Sequence, residues 1–237
     1  MKGPPTDFQD PLLGTGEAMN DPVGELWFDG PREGPRVVVL AHGAGNPADS
    51  PFLEAIASGI AAGGFPVVRF EFPYMARQRR EGIRHPPDSL PVLRETWLAV
   101  VRRLGPPGRL VIGGKSMGGR IASLVADEAE VGGLLCLGYP FHAPGRPDRL
   151  RIEHLQALRT PTLIVQGERD PYGSREEVAG LPLSPAVRWH WIARGDHSFQ
   201  PSRDSGRTVR ECMTEAVEAS LDFLRSLGTG PKGGPIR

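Results

Sequence analysis

The stretch Leu110–Arg120, LVIGGKSMGGR, carries two signatures at once. Taken as Gly114-Lys115-Ser116, it has the ending of a phosphate-binding loop. Taken as Gly114-Lys115-Ser116-Met117-Gly118, it is G-x-S-x-G, a turn that presents a nucleophilic serine. The first makes the chain a nucleotide-binding protein and the second makes it a hydrolase.

Spacing and context decide between them. A phosphate-binding loop follows G-x-x-x-x-G-K-[ST], because a long glycine-rich loop must wrap its N–H groups round the phosphates. Counting back from Gly114 puts Arg109 where the first glycine belongs, and Gly108 is out of register. The apolar run Leu110-Val111-Ile112 also leads straight into Gly113-Gly114, leaving no room for the loop. The serine turn meets its own requirements. A nucleophile elbow is a sharp strand-to-helix turn that holds serine in a strained conformation, with small neighbours two residues to either side. Gly114 and Gly118 are those neighbours, and GRIASLVADEA (119–129) reads as the helix that follows.

Outward from this turn, short and nearly continuous apolar runs punctuate the chain: RVVVLA (36–41), PVVRF (66–70), RLVIGG (109–114), GLLCLG (133–138) and PTLIVQG (161–167). Such runs fit strands buried on both faces. VRWHWIA (187–193) adds a sixth, aromatic and β-branched. Helical patterns lie between them. SPFLEAIASGIAAGG opens with Ser50 as N-cap and Pro51 at the first helical position, and stops at Gly63-Gly64. PVLRETWLAVVRRLG puts Val92, Leu93, Trp97, Val100, Val101 and Leu104 on one face. Val209, Cys212, Met213, Ala216, Val217, Leu221, Leu224 and Leu227 form a long C-terminal stripe. Alternating strands and helices predict an α/β fold, a mostly parallel central sheet with helices on both faces. One domain is expected over residues 21–227, with a mobile N-terminal segment at 1–20 and a disordered tail at 228–237.

A serine needs a base to take its proton, and the base needs a group to orient it. In a serine-turn fold of this type the chain order is Ser, then Asp or Glu, then His. IVQGERDP places Asp170 just beyond a strand, and WIARGDHSF places His197 just beyond the next. Asp170 precedes a proline and alone could simply start a turn, and His197 alone could be an ordinary loop histidine. Their order and position after strands favour the chemical reading. Asp196 is too close in sequence to His197 for a productive pair. The oxyanion formed in acyl transfer needs donors. The Met117 N–H, next after the serine, is one candidate, and the Ala44 N–H in LAHGAG is the other. His42 is expected to brace that loop by hydrogen bonding, and Lys115 is expected to make packing or peripheral contacts without chemistry.

The segment FPYMARQRREGIRHPPD (72–88) reads as a loop on the same rim. Its Arg77, Arg79 and Arg80, with few acidic neighbours, are candidates for binding an anionic part of a substrate; a solvated basic loop is the alternative.

With 28 basic and 28 acidic residues in 237, charge supplies no argument for a nucleic-acid or membrane partner. No apolar stretch is long enough for a signal peptide or a membrane span. Cys136 and Cys212 lie in apolar patterns and are expected to be buried free thiols, which suits a cytoplasmic protein. His85, His142, His154 and His190 show no ligand spacing, so neither a metal nor a cofactor is expected.

The set LAHGAG, RFEFPYM, GGKSMGGRIAS, GYPFH, QGERDP and GDHSF resembles the small, dienelactone-hydrolase-like α/β-hydrolases. In particular it is similar to bacterial predicted hydrolases related to the hydrolase-like domain of the third subunit of the non-specific-lethal histone acetyltransferase complex. The resemblance spans roughly residues 23–227 and implies a triad of Ser116, Asp170 and His197. Dienelactone hydrolases proper use cysteine as nucleophile, so serine at 116 departs from them. The expectation is a serine hydrolase cleaving a small carboxylic ester or related acyl compound through an acyl-enzyme, without a large lid domain. The alternative is a hydrolase fold kept as an interaction module.

Overall fold

The computed structural model describes residues 23–231 and residue 236. The segment 1–20 lies outside the described residues. A seven-stranded sheet forms the centre: β1 (Leu26–Asp29), β2 (Val37–Ala41), β3 (Val67–Phe70), β4 (Leu110–Lys115), β5 (Gly133–Leu137), β6 (Thr162–Gly167) and β7 (Val187–Ile192). Their spatial order is β1-β3-β2-β4-β5-β6-β7, with every pairing parallel except that of β1 with β3.

The two-sided burial of the sheet explains the unbroken apolar runs. In β2, Val38 and Leu40 point into one core, while Val37, Val39 and Ala41 point into the other. Val111, Leu135, Leu137, Leu163 and Val165 share the first core with α1 (Pro51–Ala62) and with the C-terminal helix Val209–Ser226. Leu110, Ile112, Leu134, Cys136 and Ile164 share the second with the helices Leu90–Leu104 and Met117–Val125. Both faces are therefore closed by helices, as period-2 alternation in a doubly covered sheet requires.

Between the strands run α1, α2 (Pro73–Glu81), α3 (Leu90–Leu104), α4 (Met117–Val125), α5 (Glu153–Gln156), α6 (Arg175–Val178) and α7 (Val209–Ser226). Pro51 opens α1 after Ser50, although the Ser50 side chain makes no capping bond. Thr208 does cap α7, accepting the Glu211 N–H while Glu211 reaches back to the Thr208 N–H.

Four sequence expectations need correction or completion. Residues 73–81 are helical, so the basic stretch is largely α2, begun at Pro73 and stopped by Gly82 in the left-handed region. Val92 is 41% exposed and its place on the buried face of α3 goes to Thr96, whose hydroxyl satisfies itself on the Val92 carbonyl. Val209, at the first turn of α7, is exposed as well. Strand β1 was not foreseen: it is a four-residue, half-buried edge strand, and Asp29 at its end pairs with Arg69 of β3 at 2.8 Å.

Of the segment 228–237, the described residues lie back on the body of the domain. The Arg36 guanidinium donates to the Leu227, Gly228 and Gly108 carbonyls, and Ile236 is buried with its N–H on Arg32. The connection from β5 to β6 contains only the single turn of α5, so no large lid covers the ends of the strands. Among the described residues no helix is long and apolar enough to cross a membrane.

Candidate active site at the ends of the parallel strands

Strand β4 runs into α4 through Ser116, whose φ of +50° and ψ of −115° place a side-chain-bearing residue in a sparsely populated region. Such strain persists only where the surroundings enforce it. Here the turn is clamped against β2: a Cβ at Gly114 would lie 2.0 Å from the Ala41 carbonyl oxygen, and one at Gly118 2.5 Å from the same atom. Only glycine fits at either position. The Ser116 N–H donates to the Leu137 carbonyl at 3.0 Å, which fixes the turn to β5 as well.

The turns after β6 and β7 bring two side chains to this serine. The Ser116 hydroxyl lies 2.9 Å from His197 Nε2, and His197 Nδ1 lies 2.8 Å from Asp170 Oδ2. Asp170 is fully buried, yet its lone pairs are used: Oδ2 also accepts from Gln166 Nε2 at 2.9 Å, and Oδ1 accepts the Tyr172 N–H at 2.8 Å. The Tyr172 ring lies against the imidazole, centroids 4.3 Å apart. Asp196, by contrast, accepts the N–H groups of Ser198 and Gln200 and so shapes the loop that carries His197. Ser116, His197 and Asp170 are thus joined in one chain of hydrogen bonds, 81 and 27 residues apart in sequence.

The loop after β2 lies beside the serine. A Cβ at Gly43 would stand 3.7 Å from Ser116 Cβ. His42 braces this loop, as expected. Its Nε2 accepts the Phe72 N–H at 3.1 Å, so the ring proton sits on Nδ1 and is donated to the Gly43 carbonyl at 2.7 Å. Burial lowers the His42 pKa and keeps the ring neutral, with the Gly43 bond opposing. Tyr74, from α2, donates to the Ala44 carbonyl at 3.0 Å. Met117 opens α4, so its N–H has no intrahelical acceptor.

The three arginines of the basic stretch are not short of acidic partners. Arg79 makes paired bonds to Asp49 and to the buried Glu71, Arg77 meets Asp88 at 2.6 Å, and Arg80 meets Glu81 at 3.2 Å. Asp49 comes from another part of the chain and Glu71 stands one residue before the stretch, while Asp88 and Glu81 lie within it.

Two further residues touch the central three: Gln166, which the sequence does not single out, and Lys115, of which only packing or peripheral contacts are expected. Gln166, fully buried on β6, spans Asp170, the Tyr139 backbone and the Gly173 carbonyl. Its only signal was a polar residue inside an otherwise apolar strand. Lys115, next to the serine, donates to the main-chain carbonyl of His197. Among the described residues no cluster of three or more His, Cys, Asp or Glu side chains could hold a metal ion. Cys136 and Cys212 are free and buried.

Comparison with known proteins identifies the fold. The model of the family described as an alpha/beta hydrolase domain matches residues 34–225. Among solved structures, an α/β serine hydrolase without lid from Xanthomonas campestris superposes with a TM-score of 0.66 at 19% identity, covering 95% of this chain and 100% of that one. An α/β serine hydrolase homologue from Coxiella burnetii gives 0.63 at 19% identity, covering 84% and 90%. A dienelactone hydrolase from Anabaena variabilis gives 0.62 at 19% identity, covering 89% and 91%. At such identities the likeness is one of fold.

Proposed function

This chain belongs to the α/β-hydrolase family, and within it we propose a serine hydrolase that cleaves a carboxylic ester or related acyl compound. The observation that carries the proposal is the Ser116–His197–Asp170 chain of hydrogen bonds, at 2.9 and 2.8 Å, built on a strained serine turn.

In this reading His197 Nε2 takes the Ser116 proton as Oγ attacks the substrate carbonyl. Asp170, which also accepts from Gln166 and the Tyr172 N–H, holds the ring with Nδ1 protonated and stabilises the imidazolium that forms. The N–H groups of Met117 and Ala44 receive the developing oxyanion. His197 then passes its proton to the leaving alcohol, and the acyl group stays on Ser116. In the second half, His197 takes a proton from water, the hydroxide attacks the acyl carbonyl, and the proton returns to Ser116 as the acid departs.

The absence of a large lid supports a small or accessible substrate. Arg77 and Arg79 already serve carboxylates within the fold, which speaks against a part in substrate recognition, while Arg80 meets only its neighbour Glu81 and stays exposed. Two buried free thiols fit a reducing, cytoplasmic setting. The alternative, an interaction module without activity, gives no reason for a strained serine to face a correctly oriented histidine.

Hydrolysis of a panel of short-chain aryl esters by the wild type and by Ser116→Ala tests the proposal. Turnover by the wild type and a loss of about 10⁴-fold or more in the variant is the expected result. Equal rates would refute the assignment.

A further inference from the structure

Lys115 is an ionisable side chain beside the nucleophile for which the reaction above has no use, and its surroundings are specific. It ends β4, immediately before the nucleophile, and its ammonium donates to the main-chain carbonyl of His197. Its stem passes beneath the loop after β2, where a Cβ at Gly43 would lie 3.6 Å from Lys115 Cγ. The nitrogen lies 5.2 Å from the Phe52 ring centroid and 5.9 Å from that of Phe199, the former from α1 and the latter from the histidine loop. Gly138, after β5, keeps the contact open: a Cβ there would stand 2.7 Å from Lys115 Nζ and 2.9 Å from the His197 carbonyl oxygen. One side chain thus reaches from the serine turn to the loop that carries its base, through a gap that only glycine leaves free.

We propose that Lys115 is a positioning residue whose charged ammonium holds the His197 carbonyl and so keeps the imidazole in line with Ser116 Oγ. The physical need is plain. His197 sits on a turn rather than on a strand, and a displacement of about 1 Å between base and nucleophile can cost about 100-fold in rate. A charge-assisted bond is roughly twice as strong as a neutral one, and in a partly apolar pocket it fixes the carbonyl well.

The charge is also within reach of ordinary titration. Burial brings the Lys115 ammonium down to about 8, with Asp170 and Asp196 opposing. Those two carboxylates and the His197 imidazole are the titratable groups that face it. Phe52, Phe199, Gly43 and Gly138, which complete its surroundings, bring none. Above pH 8 the amine loses its charge, the bond to the carbonyl weakens, and positioning should weaken with it.

The inference rests on the serine-hydrolase reading, so the experiment separates the two. The rate at which an alkyl fluorophosphonate labels the full chain is measured from pH 6.5 to 10 for wild type, Lys115→Met and Lys115→Arg, with ester kcat and KM alongside. Lys115→Met keeps the stem and removes the donor; Lys115→Arg keeps a donor that stays charged throughout. We expect Lys115→Met to label about 10- to 100-fold more slowly at pH 7, with the loss in kcat and little change in KM, and Lys115→Arg to recover much of it. Wild-type labelling should decline above pH 8, and that of Lys115→Arg should not. Absence of wild-type labelling would overturn the serine-hydrolase reading and this inference with it. Labelling of wild type that is flat from pH 7 to 10, or matched by Lys115→Met, would overturn the role of Lys115 alone. The wild-type profile decides the matter even where Lys115→Met does not fold.

Discussion

Asp170 Oδ2 is shared: it meets His197 Nδ1 at 2.8 Å and accepts the Gln166 amide at 2.9 Å. The carboxylate is therefore held from β6 itself, the strand that ends at Gly167 just before it. Gln166 also accepts the Tyr139 N–H at 2.7 Å, which ties the crossing from β5 to the same point.

Gln166→Leu would leave the Tyr139 N–H and one lone pair of Asp170 buried without partners. Each such orphan costs about 1–3 kcal/mol. We expect a lower urea midpoint with an unchanged m-value, together with a loss of turnover of about tenfold or more as Asp170 drifts. A variant with wild-type stability and rate would show that the bond has no importance.

Arg79 is predicted to matter for stability and not for substrate choice. Arg79→Gln strands Glu71, which is 3% exposed, and the expected cost is about 1–3 kcal/mol. The ratio of rates on anionic and neutral esters should not change. The stability gap between wild type and variant should narrow in acid. The Arg79 hydrogen bonds hold the Asp49 carboxyl below its ordinary value, so its contribution is complete above that value and lost as pH falls through the lowered one. Acid titration of wild type and variant by circular dichroism checks this. A selective loss on anionic esters would return Arg79 to substrate recognition.

Two histidines predict a loss of stability between neutral and mildly acid pH. Burial lowers the pKa of His42, and burial, then Arg120, pushes His154 down to about 4, with Glu153 opposing. In the unfolded chain both take up a proton near pH 6.5. Below that pH the unfolded state binds more protons, so stability is complete above about 6.5 and falls as pH drops toward the folded values. The slope approaches about 1.4 kcal/mol per pH unit for each ring that stays neutral. Urea unfolding from pH 7.5 to 4.5 should show the decline, and His154→Gln should make it shallower. A flat wild-type profile would contradict it.

What could be read in the sequence was whatever a single segment declares. Five strands are apolar runs because both their faces are covered, β7 at the sheet edge shows as an aromatic and β-branched run, and Gly114-Lys115-Ser116-Met117-Gly118 states its turn outright. Asp170 and His197 follow strands in the expected chain order. What escaped depends on partners distant in the chain. β1 is an edge strand with half-buried residues and no run to announce it. α2 has a proline start and a glycine stop, but its middle, ARQRR, lacks an apolar face. Arg79 meets carboxylates that lie outside its own stretch, Asp49 and Glu71, and Gln166 and Lys115 acquire their roles only through the loops that fold over them.

The most direct measurement is the location of the covalent adduct. Wild-type protein treated with an alkyl fluorophosphonate, digested and mapped by mass spectrometry should carry one modification, on Ser116. His197→Ala should carry almost none, since the serine would lack its base. An adduct on another residue, or none on the wild type, would contradict the account of Ser116 as nucleophile.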